Sequence, residues 1–353
     1  MKQSVAPGMA VRLAIIALMA VHASSAFAAG KIWKVAIVQD TQQDFALRTR
    51  EGFVAALDGL LAKRGDKAAY SLFDTELSAD KAASIVASLK SLGPDLAFTI
   101  NYPTAFADLS VASKLKDQGL KFVSENPVPV QSGVAESWER PGGNETGVSI
   151  FVRFNVEIKL MRLIRPEAKR LVMFSWDAMK LVNDWYGAEV RRACKEEGVE
   201  LVAFGLVPSI EAEEAFLLPY ADKGSDYFLS GVISAWVHDD GSPADLNTLE
   251  AGFMLENMHI PMVCYDEDTL KIYAPAGACV IWGDLGAQAA EKGLRLIDGA
   301  DPGSIPWDYP RKYNIILNMA AAKRLGIVFP QSLVNAAYRV YTDFDGHYVG
   351  QGE

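Results

Sequence analysis

Histidine, cysteine and paired carboxylates are the side chains that most often hold metals or carry catalysis, and in this sequence they are scattered. His22, His238, His259 and His347 lie far apart with no H-x-x-x-H pair, so no zinc site is expected. Neither a G-x-S-x-G elbow nor a G-x-x-x-x-G-K-[ST] loop occurs. Gly283-Asp284-Leu285-Gly286 is a weak glycine pair that reads as the opening of a helix. Asp343, Asp345 and Gly346 lack the glutamate that would complete a calcium loop and read as a turn, as does Asp239-Asp240-Gly241-Ser242-Pro243. Cys194, Cys264 and Cys279 are odd in number; a Cys264–Cys279 bridge stays open beside a reading of all three as buried thiols. The expectation is no catalytic centre, no metal and no cofactor.

The chemistry on offer is binding. In doubly wound sheets a ligand sits beyond the carboxyl ends of the strands. The residues just after the apolar, β-rich runs are Gln39-Asp40, Asn101-Tyr102-Pro103-Thr104 and Glu125-Asn126 in the first half, then Ser175-Trp176-Asp177, Ser234-Ala235-Trp236 and Asp266. Amides, hydroxyls and aromatic rings in this mixture suit a cleft that stacks on a ring and orients it with a few hydrogen bonds. The expected ligand contacts are Gln39, Asn101, Tyr102, Thr104, Asn126, Trp176, Asp177, Trp236 and Asp266. Tyr102 fits the core equally well, being four residues from Phe106 at a helix start. Asn101 and Asp177 also fit as helix caps, and Thr104 can cap a helix while leaving backbone N–H groups to a ligand. Trp176 and Trp236 follow strands, where a large ring is hard to bury, and favour the cleft.

These residues are positioned by an alternation of strand-like and helix-like segments. Trp33–Val38, Tyr70–Phe73, Leu96–Ile100 and Phe122–Ser124 alternate with segments of helical period, a βα series that predicts a parallel sheet. A polar, proline- and glycine-rich passage from Pro127 to Asn144 reads as a hinge, after which Gly147–Phe151 is expected to open a second sheet. The fold class is α/β, two Rossmann-like lobes with parallel sheets joined by a multi-strand hinge. Residues 1–28 read as a signal peptide, 31–130 as a first lobe completed by about 270–305, and 140–266 as a second lobe completed by about 310–345. The segment Asn314–Leu325 fits either lobe.

Lys2 and Arg12, the apolar run Leu13–Val21 and the small residues around Ala26-Phe27-Ala28 have the layout of a cleavable secretory leader. A periplasmic, monomeric protein is expected. The formal charge of −10 becomes −12 without Lys2 and Arg12, and no basic run could neutralise a phosphate backbone, so nucleic acid is excluded as a partner.

More specific patterns run along the chain. Asn126-Pro127-Val128, followed by Pro141-Gly142-Gly143-Asn144-Glu145-Thr146-Gly147-Val148-Ser149, resembles the D-P-V … P-G-G-N-x-T-G-V-S segment of ABC-transporter substrate-binding proteins of the TrpX-like family. Asn318, Ala322, Leu325-Gly326-Ile327, Pro330, Leu333 and Ala336 resemble that family's closing pattern, and Gly283–Gly299 with Ile305-Pro306 its last glycine-bounded helix and turn. The resemblance implies the type I periplasmic-binding fold, hinge closure on a small molecule, an ABC permease as partner and no enzymatic activity. Departures bear on the ligand: Gln42-Gln43-Asp44 stands where amino-acid-binding relatives have Glu-His-Pro, Tyr102-Pro103 where they have Thr-Pro, and Asn126 replaces an aspartate. Trp176-Asp177 and Trp236 replace small polar residues and Asp-Asn. Without the aspartate, a neutral or weakly charged ring-containing ligand is expected rather than an ordinary α-amino acid. Two alternatives remain open: a binding module for a membrane sensor or chemoreceptor, and a periplasmic enzyme using Asp40, Asp177 or Asp266 as acid or base.

Overall fold

The computed structural model describes residues 30–100, 115, 119–178, 180–230, 237–244, 251–265 and 267–350; the expected leader lies outside them. The first part of the chain runs β1 (Ile32–Gln39), α1 (Asp44–Ala62), β2 (Lys67–Asp74), α2 (Ala79–Leu92), β3 (Leu96–Ile100), β4 (Phe122–Glu125) and β5 (Glu145–Val148). These strands form a five-stranded parallel sheet in the order β2-β1-β3-β4-β5. The inner strands β3, β4 and β5 are buried along their whole length, as expected where both faces of a parallel sheet are covered. The helices begin and end where the sequence supplies the chemistry. Ser78 accepts a hydrogen bond from the Lys81 N–H to cap α2, and Gly93 closes it at φ 55°.

The second part runs α3 (Phe154–Ile164), β6 (Arg170–Trp176), α4 (Lys180–Glu197), β7 (Glu200–Val207), α5 (Ile210–Leu217), β8 (Tyr227–Ser230), α6 (Ala251–Asn257), β9 (Met262–Cys264), α7 (Glu267–Ile272) and β10 (Ala276–Val280). After α8 (Trp282–Ile297) come β11 (Tyr313–Asn318), α9 (Met319–Arg324), α10 (Gln331–Ala336), β12 (Arg339–Tyr341) and β13 (Tyr348–Gly350). The second sheet has the order β13-β12-β11-β10-β9-β8-β6-β7. Its core strands are parallel as expected, and the sheet adds antiparallel pairs at one side, where β11 runs against β10 and β13 against β12. The short connection Thr342–His347 can only return the chain beside itself, which is a hairpin and not a crossover. The segment around Asn314–Leu325 that fitted either lobe pairs into this second sheet.

Two expectations are corrected. The run at Gly147–Phe151 does not open the second sheet; Glu145–Val148 pairs with β4 as the edge of the first. The Pro127–Asn144 passage is accordingly a loop within the first sheet. Among the described residues the chain passes between the sheets at 149–153, at 281 and at 302–312, and the first and last of these passages are bound together. Ser149 N–H donates to Asp308 O (2.8 Å), Asp308 N–H to Gly147 O (3.2 Å) and Thr146 Oγ1 to Ile305 O (2.7 Å). A Cβ on Gly147 would lie 1.9 Å from Ser124 O and 2.4 Å from the Trp307 ring, so only glycine admits Trp307 here. Lys292, buried on α8, pairs with Asp308 Oδ2 at 2.8 Å and donates to Pro306 O, fixing the last passage to that helix.

Helix α8 returns to cover the first sheet and packs on α1 at van der Waals contact of the backbones. A Cβ at Gly286 would stand 2.0 Å from Thr49 O, and one at Gly52 2.1 Å from Gly283 O. The weak glycine pair of the sequence is therefore a helix-crossing device. Beneath it, Phe53 of α1 stacks on Phe98 of β3, with centroids 4.0 Å apart.

Candidate functional site

The strands β1 to β10 of both sheets end toward loops that carry the polar and aromatic residues. In the first sheet, register places Asp74, Gln39, Ile100 and Glu125 on one rung across the carboxyl edge. Gln39 is fully buried, and its amide is engaged within the protein: Nε2 donates to Thr41 O (3.1 Å) and Asp74 Oδ2 (3.3 Å), while Oε1 accepts from Arg50 (2.9 Å). Asp40, also fully buried, accepts from Thr75 Oγ1 at 2.7 Å. Asn126 anchors the start of the Pro127–Asn144 loop: Oδ1 accepts from Val128 N–H (2.9 Å) and Nδ2 donates to Ser132 Oγ (3.2 Å). An aspartate would accept the same Val128 N–H, so the exchange at 126 bears on the loop. Besides Asp74 and Asp40, this edge carries Glu125, one residue before Asn126 and 0 % exposed.

In the second sheet, Trp176 ends β6 half-buried, with Nε1 donating to Pro208 O at 3.4 Å, and Asp177 follows exposed, held by its N–H to Val207 O (3.0 Å). Asn183, in the first turn of α4, donates Nδ2 to Trp176 O (2.8 Å) and Asp177 O (3.4 Å). Its Oδ1, and Ser175 Oγ on the neighbouring strand end, are buried with no hydrogen-bond partner. Orphaned acceptors of this kind cost about 1–3 kcal/mol each and need an explanation. Asn101, Tyr102, Thr104, Trp236 and Asp266 lie outside the described residues.

Several groups escaped the sequence reading. Phe151, in the first passage between the sheets, stacks on Trp185 (5.0 Å, 19°), meets Tyr186 at 5.0 Å and receives Tyr265 edge-on at 6.0 Å. Tyr309, in the last passage, is sandwiched by Trp138 (4.4 Å, 8°) and the Arg153 guanidinium (4.5 Å). Half-buried rings stand at both edges: Tyr265 just after β9, and the pair Phe45–Trp282, 5.4 Å apart, at the first turns of α1 and α8. The signal available for Trp185-Tyr186 was their place in the first two turns of the helix after β6, the part of a doubly wound unit that borders a ligand.

Asp343, Asp345 and His347 bring their ligand atoms within 4.8 Å of one another. Asp343, however, uses Oδ1 for the N–H groups of Asp345 (3.0 Å) and His347 (3.1 Å) and Oδ2 for His347 Nδ1 (2.8 Å), which is the expected turn. Cys194, Cys264 and Cys279 are buried thiols, and burial pushes the Cys194 thiol up to about 11. No Cys264–Cys279 bridge is present. Among the described residues no helix is long and apolar enough to cross a membrane.

Comparison with known proteins follows the same lines. A tyrosine-binding protein of Clostridioides difficile is 22 % identical over 278 residues, 79 % of this chain and 76 % of the relative. A substrate-binding protein with adhesive properties from Clostridium difficile, in a ligand-free, open structure, superposes with a TM-score of 0.68 at 20 % identity, over 88 % of this chain and 99 % of the other. The L-Trp complex of an ABC domain from Streptococcus pneumonia superposes with a TM-score of 0.65 at 19 % identity, over 87 % and 99 %. These likenesses establish the two-sheet type I periplasmic-binding fold. Residues 34–215 and 246–341 match the family described as ABC transporter substrate binding protein, and with most of its length so matched the chain belongs to that family of substrate-binding proteins.

Proposed function

We propose that this protein is the extracytoplasmic receptor of an ABC import system, which captures a small ring-containing solute between its two sheets by hinge closure and delivers it to a membrane permease. The lobes comprise residues 31–148 with 282–301, and 154–280 with 313–350. The reading is supported by half-buried rings and orphaned acceptors near the carboxyl ends of the strands: Phe45–Trp282 and Tyr265 offer stacking surfaces, Ser175 Oγ and Asn183 Oδ1 hydrogen-bonding positions. Two stiff α/β bodies joined by a few extended passages suit rotation about those passages. The relatives reported to bind tyrosine and L-Trp support a ring.

The test is mass spectrometry of small molecules released on denaturing natively purified protein, with a thermal-shift assay of whatever is released and small-angle scattering with and without it. A released ring-bearing metabolite that raises the melting temperature and lowers the radius of gyration is the expected result. Chemical conversion of that metabolite by the protein would overturn the receptor reading.

A further inference from the structure

We propose that a latch at the hinge sets the balance between arrangements of the two lobes: Tyr309, fixed to the first lobe, is gripped by Arg153 and Trp185 of the second. The latch extends the hinge closure proposed above and rests on it.

The contacts narrow each passage between the sheets to a single turning point. In the first, Ser149 belongs to the first lobe, its N–H donating to Asp308 O (2.8 Å) and its Oγ to Pro127 O (3.1 Å). Two residues on, Phe151 is packed among Trp185, Tyr186 and Tyr265 of the second lobe, which leaves Ile150. In the second passage, Val280 N–H donates to Tyr265 O (3.2 Å) while Trp282 packs on Phe45, and Ile281 lies between. In the third, Arg311 N–H donates to Gln288 Oε1 on α8 (3.0 Å) and Tyr313 already pairs with Val280 in the second sheet, which leaves Lys312. A few backbone positions of this kind absorb a change of angle between stiff bodies.

Tyr309 lies on the first-lobe side of Lys312. Gln288 Nε2 donates to its carbonyl (3.0 Å), its neighbour Asp308 pairs with Lys292 (2.8 Å), and Trp138, from the Pro127–Asn144 loop, stacks on its ring at 4.4 Å. The other partners of the ring come from across the hinge. The Arg153 guanidinium, on the second-lobe side of Ile150 at the start of α3, stands 4.5 Å from the ring centroid, and the Trp185 ring of α4 is 6.5 Å away. Arg153 and Trp185 also both hydrogen-bond the Tyr309 side chain. A guanidinium attracts a ring only within about 6 Å of its centroid, so a relative shift of about 2 Å dissolves the contact. Rotation about Ile150 and Lys312 therefore keeps the Trp138–Tyr309 stack, which moves with the first lobe, and breaks or remakes the Arg153–Tyr309 contact. A contact made in one arrangement and not in another enters the equilibrium between them, and with it the apparent affinity for a solute that needs the other arrangement.

The experiment is a pulsed electron-spin distance measurement between labels on Lys90→Cys in the first lobe and Lys195→Cys in the second, both exposed helix positions; the three native cysteines are buried. In the labelled parent one distance should dominate. Arg153→Met and Tyr309→Leu should each raise the share of a second distance about threefold, and the double variant should go no further, since both changes remove the same contact. Circular dichroism reports folding, and Arg153→Met, at an exposed residue, decides alone if Tyr309→Leu does not fold. Unchanged distances in Arg153→Met, or additive effects in the double variant, would overturn the latch. The distances are read without solute, so the latch can fail while the receptor reading stands. Conversion of a bound metabolite would end the receptor reading and leave the distances as they are.

Discussion

The two carboxyl edges meet the same topological demand with different chemistry. At the first sheet, polar groups are tied to one another: Gln39 to Asp74, Thr41 and Arg50, Asp40 to Thr75, and Thr99 to Ser124 at 2.6 Å. At the second, aromatic rings fill the space, and Ser175 Oγ and Asn183 Oδ1 are left without partners. A satisfied network holds its shape without a ligand, whereas orphaned acceptors are relieved only when something binds. The first edge is thus fixed by its own hydrogen bonds, and the second by aromatic packing.

The sharpest break of this comparison is Phe151→Ala. Phe151 is 2 % exposed and touches Trp185, Tyr186 and Tyr265 together, so its loss should cost about 3–5 kcal/mol, measured by urea unfolding. The counterpart in the first lobe is Gly286→Ala. The new Cβ would meet Thr49 O at 2.0 Å, and two backbones would have to separate, for a loss of about 3 kcal/mol. If Gly286→Ala proves neutral, α1 and α8 are free to slide and the first lobe is not the rigid partner.

A matched pair of hydroxyl deletions sharpens the contrast. Ser124→Ala breaks the links to Thr99 and Glu145 in a fully buried site and should cost about 1–2 kcal/mol. Ser175→Ala removes a buried hydroxyl that bonds to nothing, so ligand-free stability should stay within about 0.5 kcal/mol of the parent or rise. Equal losses in the two variants would mean the edges are equally satisfied.

Much of the fold was legible because βα alternation writes itself into apolar spacing: Leu96–Ile100 and Phe122–Ser124 are nearly the observed strands. The edge β5 was misassigned because Gly147 and Val148 read as a fresh start, and nothing local says that Gly147 is glycine to admit Trp307 from 160 residues further on. The hairpin Arg339–Gly350 was invisible for a related reason: its three-residue strands are too short for periodicity to register. The reading of residues after strands put Gln39, Asn126, Trp176 and Asp177 at strand ends, where the structure also has them, but did not say what each bonds to. Gln39 and Asn126 turn out to hold loops, because a primary amide has both a donor and an acceptor and the backbone nearby used them. Asn183, which carries the orphaned acceptor, sits within a helix, where its residue type suggested nothing more than a polar face.

The smallest effect concerns how the second edge's loops are held. His238 Nδ1 meets Glu211 Oε1 at 2.6 Å, and Glu211 Oε2 also accepts the Asp239 N–H (3.0 Å), which ties the start of α5 to the segment after β8. The bond to Glu211, helped by Asp239 and Asp240, raises the His238 imidazole above its ordinary value; the same bond holds the Glu211 carboxyl below its own. A raised folded value means that the stabilisation from His238 is complete below the unfolded histidine value of about 6.5 and is lost as pH rises through the folded one. The lowered Glu211 value keeps the carboxylate charged until pH falls well below about 4.3. Melting temperatures of the parent and His238→Gln should therefore differ most between about pH 5 and 6 and converge by about pH 9. Because both groups are partly exposed, the difference should shrink as salt rises. A gap that is constant with pH would make the contact an uncharged hydrogen bond, and the second edge would then owe its order to its rings alone.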